Sequence, residues 1–128
     1  MAYSNSIYQS RVINNEELTP SEAIWSSTIQ SPNTMKITVQ MQATANSVGY
    51  SPPSNPTMPF TVSLYNIGYE TIADSTPYIS KSVSVTGNGN AATISFDTVG
   101  ISSFKLKVQN TSAFGVYATA RITMAVVQ

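Results

Sequence analysis

Six carboxylates are the chain's stock of acidic groups: Glu16, Glu17, Glu22, Glu70, Asp74 and Asp97. Two carboxyls flanking a glycosidic bond can split it, one giving a proton and the other attacking or activating water. Glu70 and Asp74 lie close together in "GYETIADST" and could do this, or hold calcium through oxygen. Neither use is marked by its surroundings. There is no spaced Asp/Asn ladder of the EF-hand kind, and acids in loops are ordinarily solvated. The chain has no histidine and no cysteine. The commonest general base, the commonest metal ligand and thiolate chemistry go with them. None of the 19 serines sits in a Gly-x-Ser-x-Gly elbow, and no histidine is there to activate one. Lys36, Lys81, Lys105 and Lys107 fall mostly at outward strand positions, which opposes a Ser–Lys pair. The "GNGN" at 87–90 lacks the lysine of a phosphate loop and reads as a turn. No catalytic residue, metal site or cofactor is expected.

Aromatic residues carry more weight. Tyr50, Tyr65, Tyr69, Tyr78 and Tyr117 are expected at the surface, where tyrosine stacks on sugars or fills a protein interface. Asn110-Thr111-Ser112 fits the N-glycosylation pattern. No secretory leader is seen at the N-terminus, so that match is given no weight.

The elements that must position these residues are strands. Apolar residues recur at every second position. Met35, Ile37, Val39, Met41 and Ala43 alternate with Lys36, Thr38, Gln40 and Gln42. Phe60, Val62 and Leu64 follow the same rule, as do Val83 and Val85, Ile94 and Phe96, and Phe104, Leu106 and Val108. The last run is Val116, Ala118, Ala120, Ile122, Met124 and Val126. A further strand is expected around Trp25, between Ala23 and Ile29. Asn88-Gly89 suits a primed hairpin turn. The prolines of 49–59 exclude strand interior and suggest a crossing loop between sheets. Thr19, Pro20 and Glu22 are spaced like a helix start, allowing one turn of helix. Seven or eight short strands predict an all-β chain: a single antiparallel β-sandwich over 19–128, jelly-roll or immunoglobulin-like.

Residues 1–18 differ. Tyr3, Ile7, Tyr8, Val12 and Ile13 stand among polar neighbours, too sparse for a core and too apolar for a plain disordered tail. They are either a first strand of the sandwich or an extended arm donated to a neighbouring subunit. The final strand bears on both readings. Ala118 and Ala120, followed by Ile122, leave a groove that close packing must fill. Trp25 or Phe60 from the facing sheet can fill it. So can Ile7 or Ile13 from another subunit's arm.

Charged residues are only 9% of the chain and balance, six against six. Such a charge favours neither nucleic acid nor an anionic membrane. No stretch reaches the roughly 20 apolar residues of a membrane span. The polar surface comes instead from 19 Ser, 15 Thr and 10 Asn. Neutral surfaces of this kind hold molecules apart poorly and suit a protein covered by copies of itself.

The segment "GNGNAATISFDTVGISSFKLKVQNTSAFGVYATARITMAVV" resembles the closing strands of endospore-appendage (pilus) subunits of spore-forming bacteria. The likeness extends to the layout of the whole chain. It implies a jelly-roll core, a flexible N-terminal connector that inserts into the next subunit, and production without a signal peptide. The best-known members of that family cross-link through cysteines, which this chain lacks. The expectation is therefore a self-assembling structural subunit of a surface filament, with itself as partner and cohesion from strand addition and packing. A virion decoration or fibre protein and a carbohydrate-binding module are the alternatives, with a surface anchor or a glycan as further partner.

Overall fold

A computed structural model describes residues 3–26, 28–30, 34–46, 55–66, 77–98, 101 and 103–127. Nine strands follow in order: β1 (Tyr3–Leu18), β2 (Ala23–Trp25), β3 (Ile29–Gln30), β4 (Thr34–Ala45), β5 (Thr57–Asn66), β6 (Ile79–Thr86), β7 (Ala91–Asp97), β8 (Ser103–Asn110) and β9 (Val116–Val127). One sheet has the order β1-β9-β4-β7. The other has β2-β8-β5-β6, with β3 also on β8. All these pairs are antiparallel.

β2 and β3 share one lane. Trp25 pairs with Lys107 and Ile29 with Phe104, so one side advances four residues while the other advances three. The extra residue is a bulge. Ser26 sits at it, 6% exposed. Its N–H donates to the Leu106 carbonyl at 2.8 Å, and its hydroxyl accepts from the Leu106 N–H at 2.9 Å. The hydroxyl thus does what a carbonyl does in a regular ladder. Eight lanes result. Among the described strands, only β5 and β6 are consecutive lanes lying side by side in one sheet; every other pair of consecutive lanes lies in opposite sheets. This wrapping is a jelly roll rather than an immunoglobulin sandwich.

The period-two pattern explains which faces meet. Ile37, Val39, Met41 and Ala43 turn inward from β4, as do Phe60, Val62 and Leu64 from β5 and Phe104, Leu106 and Val108 from β8. Burying each of the larger side chains contributes about 1.5–3 kcal/mol. The same cluster includes Val116, Ala118, Ala120 and Ile122 of β9, and Ile13 and Leu18 of β1.

Several local expectations are corrected. Pro59 lies inside β5, opposite Ser84 of β6. Its carbonyl accepts from the Thr111 N–H at 3.0 Å, on the side of β8. The missing N–H points the same way, just before the β5–β8 ladder begins at Phe60, so no ladder bond is lost. The 87–90 turn has the expected left-handed glycines, Gly87 (φ 77°) and Gly89 (φ 84°), but it joins β6 to β7 across the two sheets, not as a hairpin within one. A Cβ on Gly87 would come within 2.8 Å of the Asn55 and Asn90 side chains. Thr19–Glu22 is a turn without a helix. Glu22 N–H donates to Thr19 carbonyl, and the Glu22 carboxylate accepts from the Thr19 N–H at 2.9 Å.

Residues 3–18, read above as arm or first strand, are the edge strand β1 on β9 of the same chain. Its ladder slips between Tyr3 and Ile7, between Arg11 and Ile13, and between Ile13 and Glu16. The last slip contains Asn15 at φ 50°, a conformation asparagine tolerates. Asn15 N–H there bonds the Thr119 hydroxyl at 3.0 Å. Glu16 pairs with inward-facing Ala118 yet is itself exposed. Bulges and a charge at an inward register position both discourage a further strand from adding to an edge. On the opposite flank, Lys81 of β6 donates to the Ser95 carbonyl of β7, and its Nζ lies 5.4 Å from the Phe96 ring centre. A lysine head thus occupies the seam between two edge strands.

Candidate functional site

Two outward faces and one buried cluster concentrate side-chain interactions. On the outer face of β2, β8 and β5, Trp25 stands beside Lys107 in register. Lys107 Nζ is 5.6 Å from the Trp25 ring centre, and Tyr65 is tilted against Trp25 with centroids 4.7 Å apart. Trp25 remains 39% exposed and Tyr65 only 5%. Trp25 is therefore not the filler of the β9 groove, because its register with Lys107 fixes it on the outside. The tryptophan already engages a cation and a second ring.

The buried cluster centres on Asn110, which is fully buried. Its Nδ2 donates to the carbonyls of Leu18 (3.0 Å), Thr19 (3.2 Å) and Phe114 (3.0 Å). Its Oδ1 accepts from the Ser112 N–H at 2.9 Å and from the Ser112 hydroxyl. The backbone adds Ser21 N–H to Asn110 carbonyl and Asn110 N–H to Glu22 carbonyl, both 2.9 Å. The residue that matches a glycosylation pattern is thus the knot joining the end of β1, the turn after it and the β8–β9 loop. Its amide has no room for a sugar in the folded chain.

The third place is a cleft of about 180 Å³ on the outer face of β1, β9 and β4. Tyr117 and Thr119 of β9 and Gln42 and Thr44 of β4 form its floor, paired in register as Thr44–Tyr117 and Gln42–Thr119. Asn15 walls one side, because the β1 bulge lifts it from the ladder. Gly89 walls the other. The 87–90 turn is held there by Gly89 N–H to Ala43 carbonyl (3.0 Å), Gln42 side chain to Gly89 carbonyl (3.1 Å) and Ala45 N–H to the Asn88 side chain (3.0 Å). Both walls are built from left-handed residues.

Glu17 lies opposite Tyr117. Its carboxylate accepts a hydrogen bond from the phenol, its charge opposes ionisation, and partial desolvation adds to both. Together they raise Tyr117 above the ordinary tyrosine value of 10.0. A raised value in the folded state means the contact stabilises at pH below the ordinary tyrosine value. That contribution is lost as pH rises through the folded value. Glu17→Gln is expected to move the Tyr117 titration back down, read from ring-carbon shifts of labelled tyrosine across alkaline pH. An unmoved titration would mean that the Glu17 contact does not form.

The five tyrosines do not share one patch. Tyr117 lines the cleft, Tyr65 is beneath Trp25 on the other sheet, and Tyr78 is 56% exposed beside the start of β6. Tyr50 and Tyr69 lie outside the described residues, as do Glu70 and Asp74. Of the arm residues, Tyr3, Ile7, Tyr8 and Val12 are described by their strand backbone, and Ile13 also by its burial. The groove positions Ala118, Ala120 and Ile122 are buried, with Ile13 directly opposite Ala120. Among the described residues, no three His, Cys, Asp or Glu side chains come together.

No protein-family model and no curated protein matches the chain. Solved structures match its fold. A crystal structure of tripeptidyl peptidase 2 superposes with a TM-score of 0.62 at 10% identity, over 92% of this chain and 10% of that one. The VP2 subviral particle of infectious bursal disease virus gives 0.52 at 13%, over 95% and 32%. This chain therefore spans only a small part of either protein. A subunit of Bacillus endospore appendages, which form disulfide-linked pili, gives 0.47 at 13%, over 96% and 90%. One β-sandwich thus serves a peptidase and a virus particle, and the likeness is one of fold alone.

Proposed function

We propose that the chain is a non-catalytic structural subunit that joins copies of itself by exchanging β1, in an extracellular surface appendage or a virion. The carrying observation is Ile13 opposite Ala120, inside the shared core. Among the described residues, the one ladder partner of β1 is β9. The buried Ile13 and Leu18 of β1 share the core with the small Ala118 and Ala120 of β9. A neighbour's β1 can take the same place on β9 with the same ladder bonds, and the cost of exchange falls on the Thr19–Glu22 turn, which must open. The slipped, charged outer edge of β1 disfavours simple edge-to-edge addition. That leaves exchange within the lane as the favoured mode. Jelly rolls are found in viral capsid proteins, and the VP2 particle above shares this chain's fold, which supports the reading only at the level of fold.

Electron microscopy with light scattering on the purified full-length chain tests this. Filaments or closed shells, with mass rising with concentration, are expected. Deletion of residues 1–18 should prevent assembly, and a synthetic peptide of residues 1–18 should bind the truncated chain. A full-length protein that stays monomeric at high concentration would sink the proposal. Open filaments would favour an appendage, and closed shells or capsid-bound copies a virion.

A further inference from the structure

The cleft between the β1 bulge and the 87–90 turn has a chemistry of its own. One aromatic ring, Tyr117, lies in its floor, half-buried. The rest of the lining is neutral, with hydrogen-bonding side chains at Asn15, Gln42, Thr44 and Thr119 beside Ala43 and Gly89. Among the described residues, the side chains of Asn15 and Thr44 make no hydrogen bond. Asn15 offers two donors and a carbonyl oxygen, and Thr44 a hydroxyl. Thr119 accepts from the Asn15 backbone and keeps its own proton to give. Gln42 spends one amide hydrogen on Gly89 and keeps the other with its oxygen. Among the described residues, no cation lines the cleft. At its rim the Glu17 carboxylate keeps acceptor capacity beyond the phenol it already holds. Such a lining offers nothing to neutralise an anion. It matches a ring whose edge carries hydroxyls and whose face carries C–H groups: hydroxyls to amides and threonines, C–H face to the tyrosine. The volume is below the roughly 300–1,000 Å³ of drug-sized sites and suits a single ring at the end of a chain.

We propose that this cleft binds one neutral pyranose residue of a glycan. Asn15 and Glu17 come from β1 and the remaining groups from β9, β4 and the turn. The cleft therefore forms whether β1 lies on its own β9 or on a neighbour's, and the proposal does not depend on assembly.

The test is amide NMR titration of the full-length chain with the methyl glycosides of glucose, galactose, mannose, N-acetylglucosamine and glucuronic acid. A single sugar in an open cleft binds with Kd on the order of millimolar, so each is taken to about 50 mM, well above such a Kd. Where the chain assembles, the same series is read by saturation transfer to the sugar protons. At least one glycoside should give saturable binding, with amide shifts at Thr44, Gly89 and Thr119. Tyr117→Ala should remove it, at least tenfold in Kd, with thermal unfolding little changed. Thr119→Val serves as the second variant if Tyr117→Ala fails to fold. Trp25→Ala, on the opposite sheet, should bind as the wild type does. No binding of any glycoside, binding retained in both cleft variants, loss in Trp25→Ala, or binding of methyl glucuronide alone would each overturn the proposal.

Discussion

Asn110→Ala is expected to cost about 3–5 kcal/mol of folding stability, among the largest effects a single substitution in this chain can have. The wild-type amide, itself fully buried, shares its two hydrogens among three carbonyls and accepts from the N–H and hydroxyl of Ser112. Removing it strands groups that each cost about 1–3 kcal/mol when buried unpaired. Local relaxation recovers part of that sum. Urea unfolding reads the result as a lower midpoint at unchanged slope. Asn110→Asp keeps the shape but turns a carboxylate toward three carbonyl oxygens. That variant should be least stable at neutral pH and regain stability as acid protonates the new group, because its folded-state pKa is raised. If Asn110→Ala unfolds like the wild type, the amide does not hold the end of β1 to the β8–β9 loop.

Ile13→Asp is the second. Ile13 is 2% exposed, in the core, opposite Ala120. An unpaired carboxylate there either ionises at high cost or stays neutral without a partner. A loss of about 3–5 kcal/mol is expected. Ile13→Val should cost only about 0.5–1.5 kcal/mol. Both variants act on whichever β1 occupies the groove, a chain's own or a neighbour's. Ile13→Asp should therefore weaken the fold and the assembly together. Intact stability with assembly lost would mean that the core does not use Ile13 in the single chain. Intact assembly would remove β1 from the contact between subunits.

Much of the fold was legible because a two-residue period survives wherever one face is buried. Ile37, Val39 and Met41 of β4 announce both strand and inner face. Where a strand is short the phase is lost. β2 has three residues, and nothing local says that Trp25 shares a face with Lys107 and not with Val108. The sheet crossing at 87–90 was hidden for a related reason. Asn-Gly chemistry sets the backbone angles of a turn but not the sheet to which the next strand goes. Pro59 misled because its missing donor matters only on one side of the strand, and the side depends on where β8 stops. The candidate cleft was legible in one residue, Tyr117. Its walls come from a bulge at Asn15 and a turn at Gly89, and only the β1–β9–β4 register brings them together. Asn110 was the plainest miss. A fully buried hydrogen-bonding knot and an exposed glycosylation acceptor are spelled with the same three letters.

The hydroxyl pairs running across the sheets carry a wider consequence. Ser63 meets Ser80 at 2.8 Å between β5 and β6, and Thr38 meets Ser95 at 3.3 Å between β4 and β7. Sheets are often tied at such positions by opposite charges, whose attraction fades with added electrolyte and vanishes when either partner titrates. A hydroxyl pair does neither. With no histidine in the chain and few ions of any sign, the lateral cohesion of the sheets is nearly indifferent to brine and to mild acid.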